Sequence, residues 1–154
     1  MAKEVDELAA WLALASFAAA GTSRWLALAV RFGSARAVFA ASDAELATTA
    51  LSAQGRAALR AFDDWDDLER LRADCSARRI GIVALPDAEY PALLRTIEDP
   101  PLVLYWRGSA PPAEIAPAVA IVGARRASRY GLRTARRLGK ALAGAGAWVV
   151  SGLA

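Results

Sequence analysis

At 154 residues the chain has room for one ordinary domain or two small ones, and with 56% hydrophobic residues it can bury a core, which excludes a chain disordered by composition. It contains no histidine, which excludes a Ser-His-Asp or Cys-His site and any His-ligated zinc within it. Its one cysteine, Cys75, excludes an internal disulfide and fits a reducing compartment. The formal net charge of +3 hides an asymmetry. Residues 115–154 hold seven basic residues (Arg125, Arg126, Arg129, Arg133, Arg136, Arg137, Lys140) and no acidic ones. The remainder holds 12 basic and 16 acidic residues, a net of −4. Such a segment reads either as a site for a polyanion, most simply nucleic acid, or as a solvated helix face.

The first apolar run, Leu8 to Ala20, falls short of the roughly 20 residues a membrane-spanning helix needs. Glu4, Asp6 and Glu7 precede it, where a signal peptide would carry positive charge. It reads as a buried helix, with Leu8, Trp11, Leu12, Ala15 and Ala19 on one face. Gly21-Thr22-Ser23 stops it and can cap the next helix, whose stripe is Trp25, Leu28, Ala29 and Phe32, ended by Gly33-Ser34. Ser42-Asp43-Ala44-Glu45 is a capping pattern, and Ser52 opens another helix with Leu59 and Phe62 inward. The expectation is four or five short helices forming a small bundle. A helix-hairpin-helix DNA module around Gly21 lacks its Gly-x-Gly turn, so packing is the preferred role there. The acidic run Asp63 to Glu69 reads as a helix start favoured by the dipole, since it lacks the spacing of a calcium loop. Cys75 reads as a packing residue, with no base nearby to make it a nucleophile.

From Arg79 the period changes. Ile80, Ile82, Val83 and Leu85 read as a strand, closed by Pro86-Asp87. Tyr90-Pro91 and Ala92-Leu93-Leu94 read as a turn or short helix, and Asp99-Pro100-Pro101 as a rigid extended break. Leu102 to Trp106 reads as a second strand, and Pro111-Pro112 with Pro117 as a stiff surface connection. Val119 to Val122 is a third strand. It ends at Gly123, and a basic loop leads to Ser128, which opens a helix running to about Gly144. Ala147 to Ser151 is the fourth strand. Two apolar strands joined by a helix form a parallel, right-handed βαβ unit. A strand, turn and helix start aims backbone amides and the positive end of a helix dipole at one point, so an anion site belongs between Gly123 and Ser128 and beside Ser151-Gly152.

With these motifs in place, the sequence resembles the DprA/Smf family of DNA-processing proteins. The matching pieces are Tyr90-Pro91 with Leu93-Leu94, Asp99-Pro100-Pro101 with Leu104-Tyr105 and Gly108, Val122-Gly123-x-Arg125-x-x-Ser128-x-Tyr130-Gly131, and Val150-Ser151-Gly152-Leu153-Ala154. The helical region before them resembles the family's sterile-alpha-motif-like domain more weakly. The resemblance implies an α/β chain with a helical domain at 1–75 and, at 76–154, the N-terminal part of an extended Rossmann-like domain. It implies single-stranded DNA as ligand, bound by Gly123, Arg125, Arg126, Ser128, Arg129, Tyr130, Ser151 and Gly152. Arg125 is then a main phosphate contact, and Gly123 permits close approach of the strand. Tyr130 either stacks a base or packs under the loop, with packing preferred. The family's role is to protect incoming DNA in natural transformation and to help load the RecA recombinase. No catalytic residue, metal, cofactor or membrane partner is expected, and the location is cytoplasmic.

Family members continue past Ser151-Gly152-Leu153-Ala154 with a Gly-Ile-Asp and Ala-His segment and further Rossmann strands, which carry most of the self-association and RecA contacts. The chain is therefore expected to be a fragment, with a parallel sheet cut after its fourth strand. Such a sheet exposes an apolar edge and face, so marginal stability or self-association through them is expected. Two competing functions stand beside the DNA reading. One is a nucleotide-binding enzyme of the lysine-decarboxylase-like phosphoribohydrolase type. It would need a Gly-Gly-x-Gly-Thr loop and a later catalytic Glu, which this sequence lacks. The other is an inactive interaction remnant.

Overall fold

The computed structural model describes residues 5–18, 21–108 and 117–152. Ala19, Pro111-Pro112 and Leu153-Ala154, named above, lie outside them. The chain forms two compact units, Met1–Ala113 and Glu114–Ala154.

Among the described residues the first unit opens with six helices: α1 (Glu7–Ser16), α2 (Ser23–Phe32), α3 (Ala35–Ala40), α4 (Asp43–Ala47), α5 (Ala53–Ala61) and α6 (Trp65–Ala77). The one-sided stripe expected of α1 is exceeded, because Ala9 to Leu14 are all buried. A helix apolar all round belongs in the middle of a core, and α1 packs against α3, α6 and the strand β1 (Ile80–Ala84). The expected capping box forms: the Ser42 hydroxyl accepts the Glu45 amide at 3.2 Å, and the Glu45 carboxylate accepts the Ser42 amide at 2.7 Å. Cys75 is buried in α6, the packing role expected of it.

Two helix starts are capped from a distance. Glu7 of α1 accepts the amides of Ala35 at 2.7 Å and Arg36 at 3.2 Å, at the start of α3. Asp99 accepts the amides of Thr22 at 2.8 Å and Ser23 at 3.0 Å, at the start of α2, and the Thr22 hydroxyl donates to Asp99 and to the Pro100 carbonyl. Thr22 makes no cap of its own. The expected rigid break at Asp99-Pro100-Pro101 therefore doubles as a helix cap. Tyr90 is fully buried, and its hydroxyl donates to the Pro101 carbonyl at 2.8 Å. These two motifs hold the connection from β1 to β2 (Val103–Arg107) onto the helices, with one short helix, α7 (Ala92–Arg95), on the way.

The four expected strands do not share one parallel sheet. β1 pairs with β2 antiparallel, from Ile80 opposite Arg107 to Ala84 opposite Val103. A parallel pairing needs a crossover of a dozen or more residues, usually a helix, lying back across the strands. Here the connection spends its length on Tyr90, α7 and the Asp99 cap instead. Val83, Ala84, Leu85, Leu102 and Val103 join the core of Trp11, Leu14, Trp25 and Val38. The change of element type after residue 75 is therefore not a break in packing.

The described residues of the second unit form one βαβ element: β3 (Ala118–Ala120), α8 (Arg129–Gly144) and β4 (Trp148–Val150). β3 and β4 pair in parallel with Val119 opposite Val149, as expected. Gly131, Ala135, Gly139 and Leu142 are half-buried on one side of α8. A Cβ on Gly139 would stand 3.8 Å from Ile121 Cδ1, so this side faces the β3 end of the sheet. One such layer has little to bury its apolar groups against. Leu132 and Leu138 of α8 and Trp148 and Val150 of β4 are each about half exposed.

Candidate nucleic-acid interface

The candidate site lies where β3 and β4 end side by side. The Ile121 amide donates to the Val150 carbonyl at 2.9 Å, after which both chains leave the sheet. The loop from Val122 to Ser128 crosses this end and feeds α8. Arg125 and Arg126 form its turn. Ser128 has extended backbone (φ −68°, ψ 161°), and its hydroxyl accepts the Gly131 amide at 3.1 Å. That is the N-cap geometry expected of a serine before a helix.

A concave surface of about 640 Å³ opens here. Of the eight residues the sequence pointed to, Gly123, Arg125, Arg126, Ser128, Ser151 and Gly152 line it. Arg129 and Tyr130 stand exposed in the first turn of α8, outside the lining. Tyr130 is 70% exposed, so it does not pack under the loop. The expected packing is not formed: Tyr130 falls among the exposed residues of the first turn of α8, apart from the residues of the loop that line the concavity. The concavity also takes in Val122, Leu132 and Ala135. Sequence analysis did not single out the last two; their spacing from Ser128, about one and two helical turns, is the signal that they face the same mouth.

The electrostatics are one-sided. Arg125, Arg126 and Arg129 are exposed, and no ion pair is made by any of them among the described residues. Residues 115–154 contain no carboxylate to pair with them. Gly123 keeps no positive φ, and a Cβ there would meet nothing within 4 Å. Neither the backbone nor internal packing demands glycine at that position, so its free space faces outward. Arginine forks suit phosphate oxygens, and the amides of a helix start suit an anion. Among the described residues no group of His, Cys, Asp and Glu is placed to hold a metal ion. No described helix is long and apolar enough to cross a membrane.

A cationic concavity on a βαβ unit has the charge and shape to receive a polyanion. The family model described as DNA recombination-mediator protein A matches residues 81–154. Over this stretch the chain is similar to the DprA/Smf family. Over 71 residues the chain is 42% identical to Protein Smf of Synechocystis sp., covering 44% of this chain and 18% of that protein. Over 87 residues it is 32% identical to the DNA processing protein DprA of Bacillus subtilis, covering 56% of this chain and 29% of that protein. The aligned segment thus spans less than a third of the length of either relative. No solved structure matches the chain.

Proposed function

We propose that this chain binds single-stranded DNA, without catalysis, as part of a cytoplasmic DNA-processing protein of natural transformation that works with the RecA recombinase and self-associates. The observation that carries the reading is the concavity at the ends of β3 and β4, where Arg125 and Arg126 stand exposed beside the capped start of α8. The relatives' names supply the DNA, and the residues supply the means of holding it. Phosphates dock on Arg125, Arg126 and Arg129, and the outward space at Gly123 and Gly152 lets a backbone come close. Phosphate contacts position a strand without reading it, so sequence preference is weak. Trp148 and Val150, both half exposed, supply an apolar surface for self-association. The phosphoribohydrolase reading finds no carboxylate in residues 115–154 to act as base.

The test is fluorescence anisotropy of a labelled oligo-dT with the intact chain, with duplex DNA as competitor. Three phosphate contacts on a single strand give log K a slope of about −2.1 against log salt, an affinity loss of roughly 18-fold between about 50 and 200 mM salt. Arg125→Ala removes one contact and cuts that loss to roughly 7-fold. Salt-insensitive binding, effective competition by duplex, or an unchanged Arg125→Ala variant would overturn the proposal.

A further inference from the structure

The strongest unassigned feature is the outer face of α8. Arg129, Arg133, Arg136 and Lys140 recur at intervals of four, three and four residues. At about 100° per residue they fall within roughly 60° of one another, a straight row along the helix. Arg137 flanks it. All five are exposed. The side that faces the sheet carries Gly131, Ala135, Gly139 and Leu142, so the row points away from β3 and β4.

A solvated helix face ordinarily mixes signs, and like charges four apart destabilise a helix. The first unit follows that rule: Arg60 pairs with Asp43, Arg72 with Asp6 and Glu69, and Arg78 with Asp74. Along α8 no such pair is made among the described residues, and residues 115–154 offer no carboxylate for one. An external polyanion relieves this repulsion.

We infer that the row is a second phosphate track, continuing the strand from the Arg125–Ser128 loop along α8. The inference rests on the reading of that loop as a DNA site. Three observations favour a nucleic-acid strand over another anion. The row begins at Arg129, one residue past the cap that closes the loop. It is linear, where a single phosphate group would need convergent cations. Its span of eleven residue steps at about 1.5 Å each is about 17 Å, which matches about six phosphates spaced roughly 3.4 Å apart along a stacked strand. The loop then holds one end of the strand, and α8 sets how many nucleotides are bound.

The experiment compares oligo-dT of about four and about fifteen nucleotides, on the intact chain and on the triple variant Arg133→Gln/Arg136→Gln/Lys140→Gln. Glutamine keeps helix propensity close to that of arginine and lysine. With the wild type, three added contacts make the salt slope steeper by about 2 for the long strand, a further 18-fold or so between about 50 and 200 mM salt. The triple variant should lose this increment and leave the short strand unchanged. The Arg133→Lys/Arg136→Lys variant keeps the charge and should restore the increment, which separates a charge track from a folding defect. If the triple variant leaves the long-strand slope as in wild type, the row is a solvated face and the inference fails. If the variant loses binding to phosphatidylserine vesicles but keeps its DNA slope, the row is a lipid surface and the inference also fails. The loop reading fails separately, through an Arg125→Ala variant that binds the short strand normally.

Discussion

Gly81 offers the sharpest test of how the β1–β2 pair is packed. It lies opposite Trp106 in the register. A Cβ built on Gly81 would stand 2.1 Å from Trp106 Cε2 and 2.3 Å from both Cζ2 and Nε1. Those atoms belong to the body of the ring, so Gly81→Ala forces the whole indole to swing away. Trp106 is half-buried against the core, so the swing breaks packing there. Overfilling a packed site costs about 1–3 kcal/mol. Against this, replacing glycine in a strand returns about 0.5–1 kcal/mol by narrowing the unfolded ensemble. The net expectation is a loss of about 1–2 kcal/mol, or roughly 5–10 °C in the melting of a unit of about this size. Thermal unfolding followed by far-UV circular dichroism measures it. The decisive arm is a double-mutant cycle. In a Trp106→Ala background the obstruction is gone, so Gly81→Ala should become neutral or stabilising, with a coupling above about 1 kcal/mol. Additive effects, or a Gly81→Ala single variant as stable as wild type, would refute the argument.

Two further outcomes follow from the first unit. Hydrogen bonds from the Thr22 hydroxyl and from the Thr22 and Ser23 amides hold the Asp99 carboxyl below its ordinary value of 3.8. A depressed carboxyl contributes stability that is present above 3.8 and lost as pH falls through the lower folded value. Urea midpoints of wild type and Asp99→Ala should therefore differ at neutral pH and converge in acid below 3.8; a constant gap would remove the carboxylate from the account. Tyr90→Phe deletes only the bond to the Pro101 carbonyl. It should cost about 1 kcal/mol in urea unfolding, and no loss would mean that the hydroxyl adds nothing.

The parts of this molecule that are local in sequence were legible, and the parts made by distant partners were not. The bounds of α8 followed from Ser128 and Gly144, and the capping box at Ser42 and Glu45 followed from spacing alone. The loop of the candidate site was readable for the same reason: Gly123 to Ser128 is one continuous stretch, and the end of β4 falls beside it wherever two parallel strands pair. Asp99 is 77 residues from Thr22, and nothing near either residue marks the other as its partner. Antiparallel pairing of β1 and β2 depends on what fills their connection, which strand propensity cannot express. The orientation of Tyr130 depends on what covers it. A helix-period count places it on a face and says nothing of whether that face is roofed.

The cap at Ser128 has a consequence for how an anion can be received. A helix start leaves its first four amides without intrahelical partners. The Ser128 hydroxyl already occupies that of Gly131. The junction is thus partly self-saturated, and an incoming phosphate competes with the protein's own side chain for the third helical amide. No described hydrogen bond takes the amides of Arg129 and Tyr130, so a phosphate bound as proposed would meet those two uncontested. On the proposed reading, the guanidinium groups on either side would be the principal holders, with the helix end as a guide.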